Sequence, residues 1–324
     1  NMVRLIKISL IFILYACNSK FDRTKGFVPQ SSGNLNNITV VMPTIDWNGA
    51  LGQKVRDEIG SVYEGLPVDE PQFSLKYMNP EVFSGFARQS RNILWFQKDS
   101  ISRFQLAKDQ FAKPQIVCLI TGEDSDSQGF SLEENSTLLK QTILENERKE
   151  KIRRINKSPT NETSLKDRFG YNLKYPSAYK TVKDTINFIW IQKAVQKGHL
   201  NIISYNLPKN ALEGNFSNKI LNIRDSIGKL YVPGRLPGSY LITERAYRPY
   251  FYKTSLDGNK GYLTKGTWEV ANDFMAGPFV NYMLYSEKFN KWIVIEGFAF
   301  APSISKRDYM FELNTIITTL KIRD

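Results

Sequence analysis

Residues 279–300 read FVNYMLYSEKFNKWIVIEGFAF, two apolar and aromatic runs, Phe279–Tyr285 and Lys291–Phe300, separated by a short polar segment. Strand-like runs with a short polar connection predict an antiparallel β-hairpin. Period-two alternation divides the second run into two faces, one with Ile293, Ile295 and Ala299 and the other with Trp292, Val294, Glu296, Phe298 and Phe300. Glu296 is therefore expected to share a face with aromatic rings.

Similar strand signals surround this hairpin. The runs are Ile186–Ile191, Leu200–Leu207, Tyr240–Thr254 and Tyr262–Val270, and the last two are joined through a turn signal at Asp257-Gly258-Asn259. Downstream, an apolar stripe of Tyr309, Leu313, Ile316, Ile317 and Leu320 predicts a C-terminal helix, capped by Ser305, that covers one face of this sheet.

The first half alternates strand and helix. Predicted strands are Ile38–Met42, Phe73–Tyr77, Ile93–Gln97 and Gln115–Ile120, with a helix after Asp46. A capping-box spacing at Ser131 and Glu134 predicts a second helix whose charged end, Glu147–Arg154, is expected to be solvated.

Together these elements predict an α+β protein of two domains with mixed and antiparallel sheets and packed helices. The predicted divisions are a lipoprotein signal peptide (1–16), a flexible tether (17–34), an N-terminal α/β domain ending in a long charged helix (35–160) and a C-terminal antiparallel α+β domain (161–324).

Composition excludes several classes of function. The 324 residues carry 44 Lys and Arg against 32 Asp and Glu, a formal net charge of +12, with one His and two Cys. A single His excludes multi-histidine metal sites, and two Cys exclude a disulfide framework. Without a P-loop, dinucleotide-binding or zinc motif, we expect no cofactor and no metal. The positive charge favours anionic partners, but no aromatic nucleic-acid motif accompanies it, so nucleic acid is not expected.

The N-terminal residues resemble a bacterial lipoprotein signal. Arg4 and Lys7 precede an apolar stretch, and Leu14-Tyr15-Ala16-Cys17 resembles a lipobox. The resemblance implies that Cys17 is acylated and holds the protein in a membrane. Asn18 stands where an aspartate commonly causes inner-membrane retention, so we expect the outer membrane, facing the periplasm. The second cysteine, Cys118, lies in an apolar run and is expected to be structural.

Candidate binding chemistry lies in the second half. Arg245, Arg248, Tyr250 and Trp268 combine guanidinium and aromatic groups that can bind a ligand, although a solvated strand with cross-strand pairs has the same composition. Glu296 could belong to this ligand-binding set, act as a general acid or pair with Arg245 or Arg248; a purely structural ion pair is the alternative. His199 is expected to be structural, and no catalytic residue is assigned.

Three groups of residues resemble a family of Bacteroidota lipoproteins that carry a domain of unknown function. They are Ser32-Gly33-Asn34, Gly65-Leu66-Pro67 with Glu70-Pro71-Gln72-Phe73, and Gly266-Thr267-Trp268-Glu269 with Asn272 to Phe279. The resemblance implies an envelope location and no particular reaction. The stretch from Phe169 to Trp190 is also similar to PsbP-like α+β domains.

We therefore predict a lipid-anchored cell-envelope protein, a non-catalytic binding or assembly factor whose partner is peptidoglycan or an envelope protein. The alternative is an envelope hydrolase that acts on a glycan or an ester with Glu296 as general acid.

Overall fold

The computed structural model of the protein describes residues 28–322. The predicted signal peptide, Cys17 and most of the predicted tether lie outside these residues. In the described chain, the α+β class with two domains, one mixed sheet and one antiparallel sheet is confirmed.

The first domain is built on a mixed sheet. Its strands in the described chain are β1 (Asn37–Val41), β2 (Ser74–Met78), β3 (Asn92–Lys98), β4 (Arg103–Lys108) and β5 (Ile116–Gly122). They lie in the order β2-β1-β3-β5-β4, and β4 alone among them is antiparallel to its neighbour. The continuous apolar run of β5 is buried at every position, as expected for a strand covered on both faces.

Helices cover one face of this sheet. They are α1 (Thr44–Asn48), α2 (Ala50–Ile59) and α3 (Ser125–Ile155). The core on this face joins Leu51, Val55 and Ile59 of α2 to Leu132, Leu139 and Ile143 of α3. Cys118 is buried in the same core, and burial raises the pKa of its thiol, which fits the predicted structural role.

Helix α3 differs from its prediction at both ends. It begins at Ser125 because Asp124, seven residues before the expected cap Ser131, accepts a hydrogen bond from the Ser127 amide at 2.8 Å. Its charged end is solvated only in part: Lys149 and Arg154 are exposed, but Glu147 and Glu150 are buried. Glu147 is completely buried and accepts hydrogen bonds from Arg91 Nε at 2.6 Å and Asn92 Nδ2 at 2.6 Å. This carboxylate therefore joins the end of α3 to the start of β3.

The second domain is built on an antiparallel sheet. Its described elements are α4 (Ser164–Phe169), β6 (Tyr171–Asn172), β7 (Lys180–Asp184), β8 (Phe188–Val195), β9 (Gly198–Pro208), α5 (Phe216–Tyr231), β10 (Tyr240–Thr243), β11 (Tyr250–Leu256), β12 (Asn259–Ala271), β13 (Asp273–Ser286), β14 (Lys291–Phe300), α6 (Arg307–Ile317) and β15 (Lys321–Ile322). The sheet order is β10-β12-β13-β14-β9-β8-β7, with β11 also paired to β12, while β6 and β15 form a separate ribbon.

The predicted hairpin is β13 with β14, in the register Phe279↔Phe298. The predicted division of β14 into two faces is also correct, because Ile293, Ile295 and Ala299 belong to one core and Val294 and Phe298 to another. Helix α6 covers the first of these faces and α5 the second. Among residues 28–322, no helix has the length and apolar character needed to cross a membrane.

The cap of α6 comes from the other domain. Ser305 does not cap the helix as predicted; instead Glu70 accepts hydrogen bonds from the backbone amides of Lys306 at 2.7 Å and Arg307 at 2.9 Å. A carboxylate at a helix N-terminus satisfies free amides and interacts favourably with the helix dipole. The first domain therefore helps to position the helix that supports the second sheet.

A second carboxylate links α6 to its surroundings. Glu312 is buried and contacts the ammonium groups of Lys151 on α3 and Lys193 on β8, and Tyr179 Oη donates to it at 2.8 Å. Burial alone would raise the pKa of Glu312, but Lys151 and Lys193 together hold it below its ordinary value of 4.5.

We expect the Glu312→Gln variant to be less stable than the wild type at pH 7 by about 3 kcal/mol, because two lysines lose their buried partner. A carboxyl group with a lowered pKa stabilises the fold above its unfolded pKa of about 4.3, and this contribution is lost as the pH falls through the folded pKa. Urea unfolding should therefore show the difference between the two proteins shrinking from pH 7 to pH 3. A difference that stays constant over this range would contradict the assignment.

Candidate functional site

Helix α5 lies on the face of the second sheet that carries Glu296. Asn215 caps the helix by accepting from the Asn218 amide at 3.3 Å, and Ile220, Arg224 and Gly228 point towards the sheet and are buried. A Cβ atom at Gly228 would stand 2.0 Å from the carbonyl oxygen of Leu241, so glycine allows α5 to approach β10 closely. The positions of the other residues of the site depend on how α5 packs on the sheet.

An ion pair lies buried beneath α5. Arg224 Nε is 3.0 Å from both carboxylate oxygens of Glu296 and Arg224 Nη2 is 2.8 Å from Oε1, while Asn281 Nδ2 donates to Oε2 at 2.8 Å. Both charged side chains are almost completely buried. The guanidinium also lies 3.8 Å from the ring centroid of Phe279. Glu296 therefore pairs with Arg224. Its partner is neither Arg245 nor Arg248, the two arginines suggested by the sequence.

At the N-terminal end of α5 the sheet is uncovered and carries a shallow concavity of about 360 Å³. We call it the aromatic platform and define it by Lys253, Lys260, Tyr262, Tyr285 and Trp292. Their strands bring these residues together on one face: Lys253 is opposite Tyr262 in the β11–β12 register, and Tyr285 is opposite Trp292 in the β13–β14 register. Residues directly opposite each other in an antiparallel pair share a face.

The rings of the aromatic platform are held in place. Trp292 lies 5.4 Å from Tyr285 in an edge-on arrangement and 6.2 Å from Tyr262, centroid to centroid. Trp292 Nε1 donates to the carbonyl of Lys209 at 2.9 Å. Phe216, the first residue of α5, stacks on Tyr262 at 4.4 Å. Fixed rings lose little conformational entropy when a ligand binds, which favours affinity.

The two lysines give the aromatic platform a positive charge. Lys253 and Lys260 are both exposed, and neither forms an ion pair with a described residue. Exposed ammonium groups beside apolar ring faces can bind an anionic ligand that has an apolar side. Such an arrangement suits the binding of a ligand.

Most of the residues predicted for ligand binding lie elsewhere. Arg245 is exposed and bonded to Asp225 at 2.8 Å and to Asn222 at 3.0 Å, and Arg248 is exposed. Tyr250 is on β11, but three residues from Lys253 and hence on the opposite face of the strand. Trp268 is buried near the C-terminal end of α5, where it lines a separate pocket. The structure therefore does not bring Arg245, Arg248, Tyr250 and Trp268 together in one site, and the aromatic platform is formed by other aromatic and basic residues.

A larger cleft of about 730 Å³ lies at the carboxyl ends of β1, β3 and β5, a common location for ligands in open α/β sheets. Most of the polar side chains in this cleft form hydrogen bonds within the protein. Asp124 caps α3, Ser125 Oγ donates to Asp46 at 2.7 Å, and Gln128 Nε2 donates to the carbonyl of Gln97 at 3.0 Å. In residues 28–322 no group of three or more His, Cys, Asp and Glu side chains could hold a metal.

The chain is distantly similar to several solved structures. Its likeness to the Ran-binding protein Mog1p of Saccharomyces cerevisiae covers 48% of this chain and 91% of that chain, with 8% identity and a TM-score of 0.33. LpqN, involved in cell envelope biogenesis of Mycobacterium tuberculosis, is similar over 48% of this chain and 83% of that chain, with 12% identity and a TM-score of 0.30. We draw no functional conclusion from similarities this distant.

Among curated proteins the chain has no match. Two family profiles do match it. Residues 31–156 match the family described as Domain of unknown function (DUF8532), and residues 158–319, 162 of the 324 in the chain, match Domain of unknown function (DUF4837). With half of its length matched by the latter profile, the chain belongs to the DUF4837 family.

Proposed function

We propose that this protein is a lipid-anchored, non-catalytic envelope protein that binds peptidoglycan at the periplasmic side of the outer membrane through the aromatic platform. The observation that carries the proposal is the fixed group of Tyr262, Tyr285 and Trp292 beside two lysines without ion-pair partners among the described residues.

Peptidoglycan offers the two features that the platform can bind. The C–H faces of its sugar rings can stack on aromatic side chains, and its stem peptides carry carboxylates that can pair with Lys253 and Lys260. The formal net charge of +12, or +10 without Arg4 and Lys7 of the predicted signal peptide, favours the approach of such an anionic polymer. The predicted acylation of Cys17 would hold the protein close to this polymer.

Binding to purified sacculi should depend on the platform lysines. We expect Lys253→Met combined with Lys260→Met to weaken binding about tenfold, because two exposed charge pairs are lost, and raised salt should weaken wild-type binding in the same way. Cosedimentation over a range of sacculus concentrations measures both effects.

Two matched variants serve as controls. Lys174→Met with Lys180→Met removes the same charge at exposed positions away from the platform, and Arg245→Ala with Arg248→Ala tests the positions favoured by the sequence. Both pairs should bind like the wild type. Equal losses in all three double variants would show only a general charge effect and would remove the platform from the proposal.

The anchor can be tested on its own. We expect the full-length protein to incorporate labelled palmitate and to sediment with outer membranes, and the Cys17→Ser variant to do neither, since the acylated thiol is the proposed attachment point. Labelling of the serine variant, or its unchanged fractionation, would disprove the anchor without affecting the sacculus result.

The hydrolase alternative requires Glu296 to reach a substrate. Its side chain is completely buried and both oxygens are bonded to Arg224 and Asn281, which favours a structural role. We expect Glu296→Gln to cost about 3–5 kcal/mol of unfolding free energy, because it leaves the charge of Arg224 buried without a partner. Arg224→Met combined with Glu296→Leu should be more stable than Glu296→Gln in urea unfolding. A folded and fully stable Glu296→Gln protein that loses an activity on envelope glycans or esters would instead support the hydrolase.

A further inference from the structure

A second pocket opens at the C-terminal end of α5. Its volume is about 140 Å³, and its walls are mainly apolar and aromatic: Trp190, Trp268, Val270, Met275, Phe298 and Phe300. Trp268 lies 5.8 Å from Phe298 in an edge-on arrangement. A Cβ atom at Gly277 would stand 2.1 Å from the carbonyl oxygen of Ala299 and 3.0 Å from Trp268 Nε1, so glycine allows both β14 and the indole to approach β13 closely.

Among the buried polar side-chain atoms that line this pocket, one nitrogen lacks a partner in the described chain. Asn201 Oδ1 accepts from Trp190 Nε1 at 3.0 Å and from Gln192 Nε2 at 2.9 Å. Trp268 is 2% exposed, and its indole N–H has no hydrogen-bond partner among the described residues. A buried donor without an acceptor is unusual, because an unmade hydrogen bond destabilises the fold. A ligand that brings an acceptor to the indole would complete the site.

Size and chemistry restrict this ligand. An apolar cavity of about 150 Å³ holds a molecule the size of benzene, so the pocket accepts one substituent of a sugar and not the whole molecule. The substituent must be largely apolar and must carry an acceptor next to its apolar part. An acetamido group meets both conditions, with a methyl group for the aromatic walls and a carbonyl oxygen for the Trp268 N–H.

Two exposed polar side chains line the mouth of the pocket. Arg235 lies at the mouth and is fixed by two hydrogen bonds to Asp273, at 2.8 and 2.9 Å, and exposed His199 lines the same opening. These polar side chains stand where the sugar ring that carries the substituent would lie.

We propose that this pocket, which we call the Trp268 pocket, binds the acetamido group of an N-acetylhexosamine. The Trp268 pocket is separate from the aromatic platform, and the proposal stands whether or not the platform binds peptidoglycan.

The indole signals in ¹H–¹⁵N correlation spectra test the proposal. The chain has five tryptophans, and Trp268→Phe identifies the signal of Trp268 by its loss. Titration of the full chain with N-acetylglucosamine should move this signal downfield and saturate, whereas glucosamine, which lacks the acetyl group, should not move it. Trp268→Phe, followed through the indole signal of Trp190 in the same pocket, should bind N-acetylglucosamine about fivefold more weakly, the effect of one hydrogen bond.

Two further variants distinguish the sites. Met275→Trp fills the Trp268 pocket and should abolish the response, while Lys253→Met with Lys260→Met should leave it unchanged even if binding to sacculi is lost. A shift of the Trp292 signal without one of Trp268 would overturn the proposal, as would equal responses to N-acetylglucosamine and glucosamine. If Met275→Trp fails to fold, the affinity of Trp268→Phe decides the outcome.

Discussion

The ion pair between Arg224 and Glu296 determines the arrangement of the proposed sites. Both side chains are buried, so separating them would leave an unpaired charge inside the protein at a cost of about 3–5 kcal/mol. Three guanidinium–carboxylate hydrogen bonds in a fixed geometry specify one position of α5 on the sheet. Since Phe216 begins α5 and stacks on Tyr262, while Val232 follows its last turn and lines the Trp268 pocket, this position sets the borders of both sites.

The opposite face of the sheet is held by contacts between the domains. Glu70 of the first domain caps α6, and Glu312 of α6 binds Lys151 of α3 together with Lys193 of β8. A helix that is fixed at its first turn and again near its middle cannot slide along the sheet without losing charged hydrogen bonds. The first domain thus stabilises the sheet from the side away from the aromatic platform, and the platform itself stays uncovered.

Periodicity in the sequence correctly predicted the elements that are determined by residues close together in the chain. The β13–β14 hairpin and its two faces follow from period-two alternation, and α6 follows from its apolar stripe. The errors concern partners that are distant in sequence. Ser305 is a reasonable cap by local spacing, but the cap is Glu70, 237 residues before Arg307. Glu147 lies in a charged run typical of a solvated helix, yet its partners Arg91 and Asn92 are more than fifty positions away. A single sequence contains no signal for such pairs.

The candidate binding residues from the sequence differ from those of the aromatic platform for a geometric reason. Composition showed that aromatic and basic residues are concentrated on these strands, but not which of them a helix would cover. The first residue of α5, Phe216, stacks on Tyr262 of β12, whereas its last residue, Tyr231, stacks on Phe188 of β8. The helix therefore crosses several strands, and the part of the face beyond Phe216 stays uncovered. On β11 the same geometry separates Lys253 from Tyr250, because an odd number of steps along a strand changes the face. Which residues can meet a ligand thus depends on how α5 crosses the sheet, and that placement is fixed by contacts between residues far apart in the sequence.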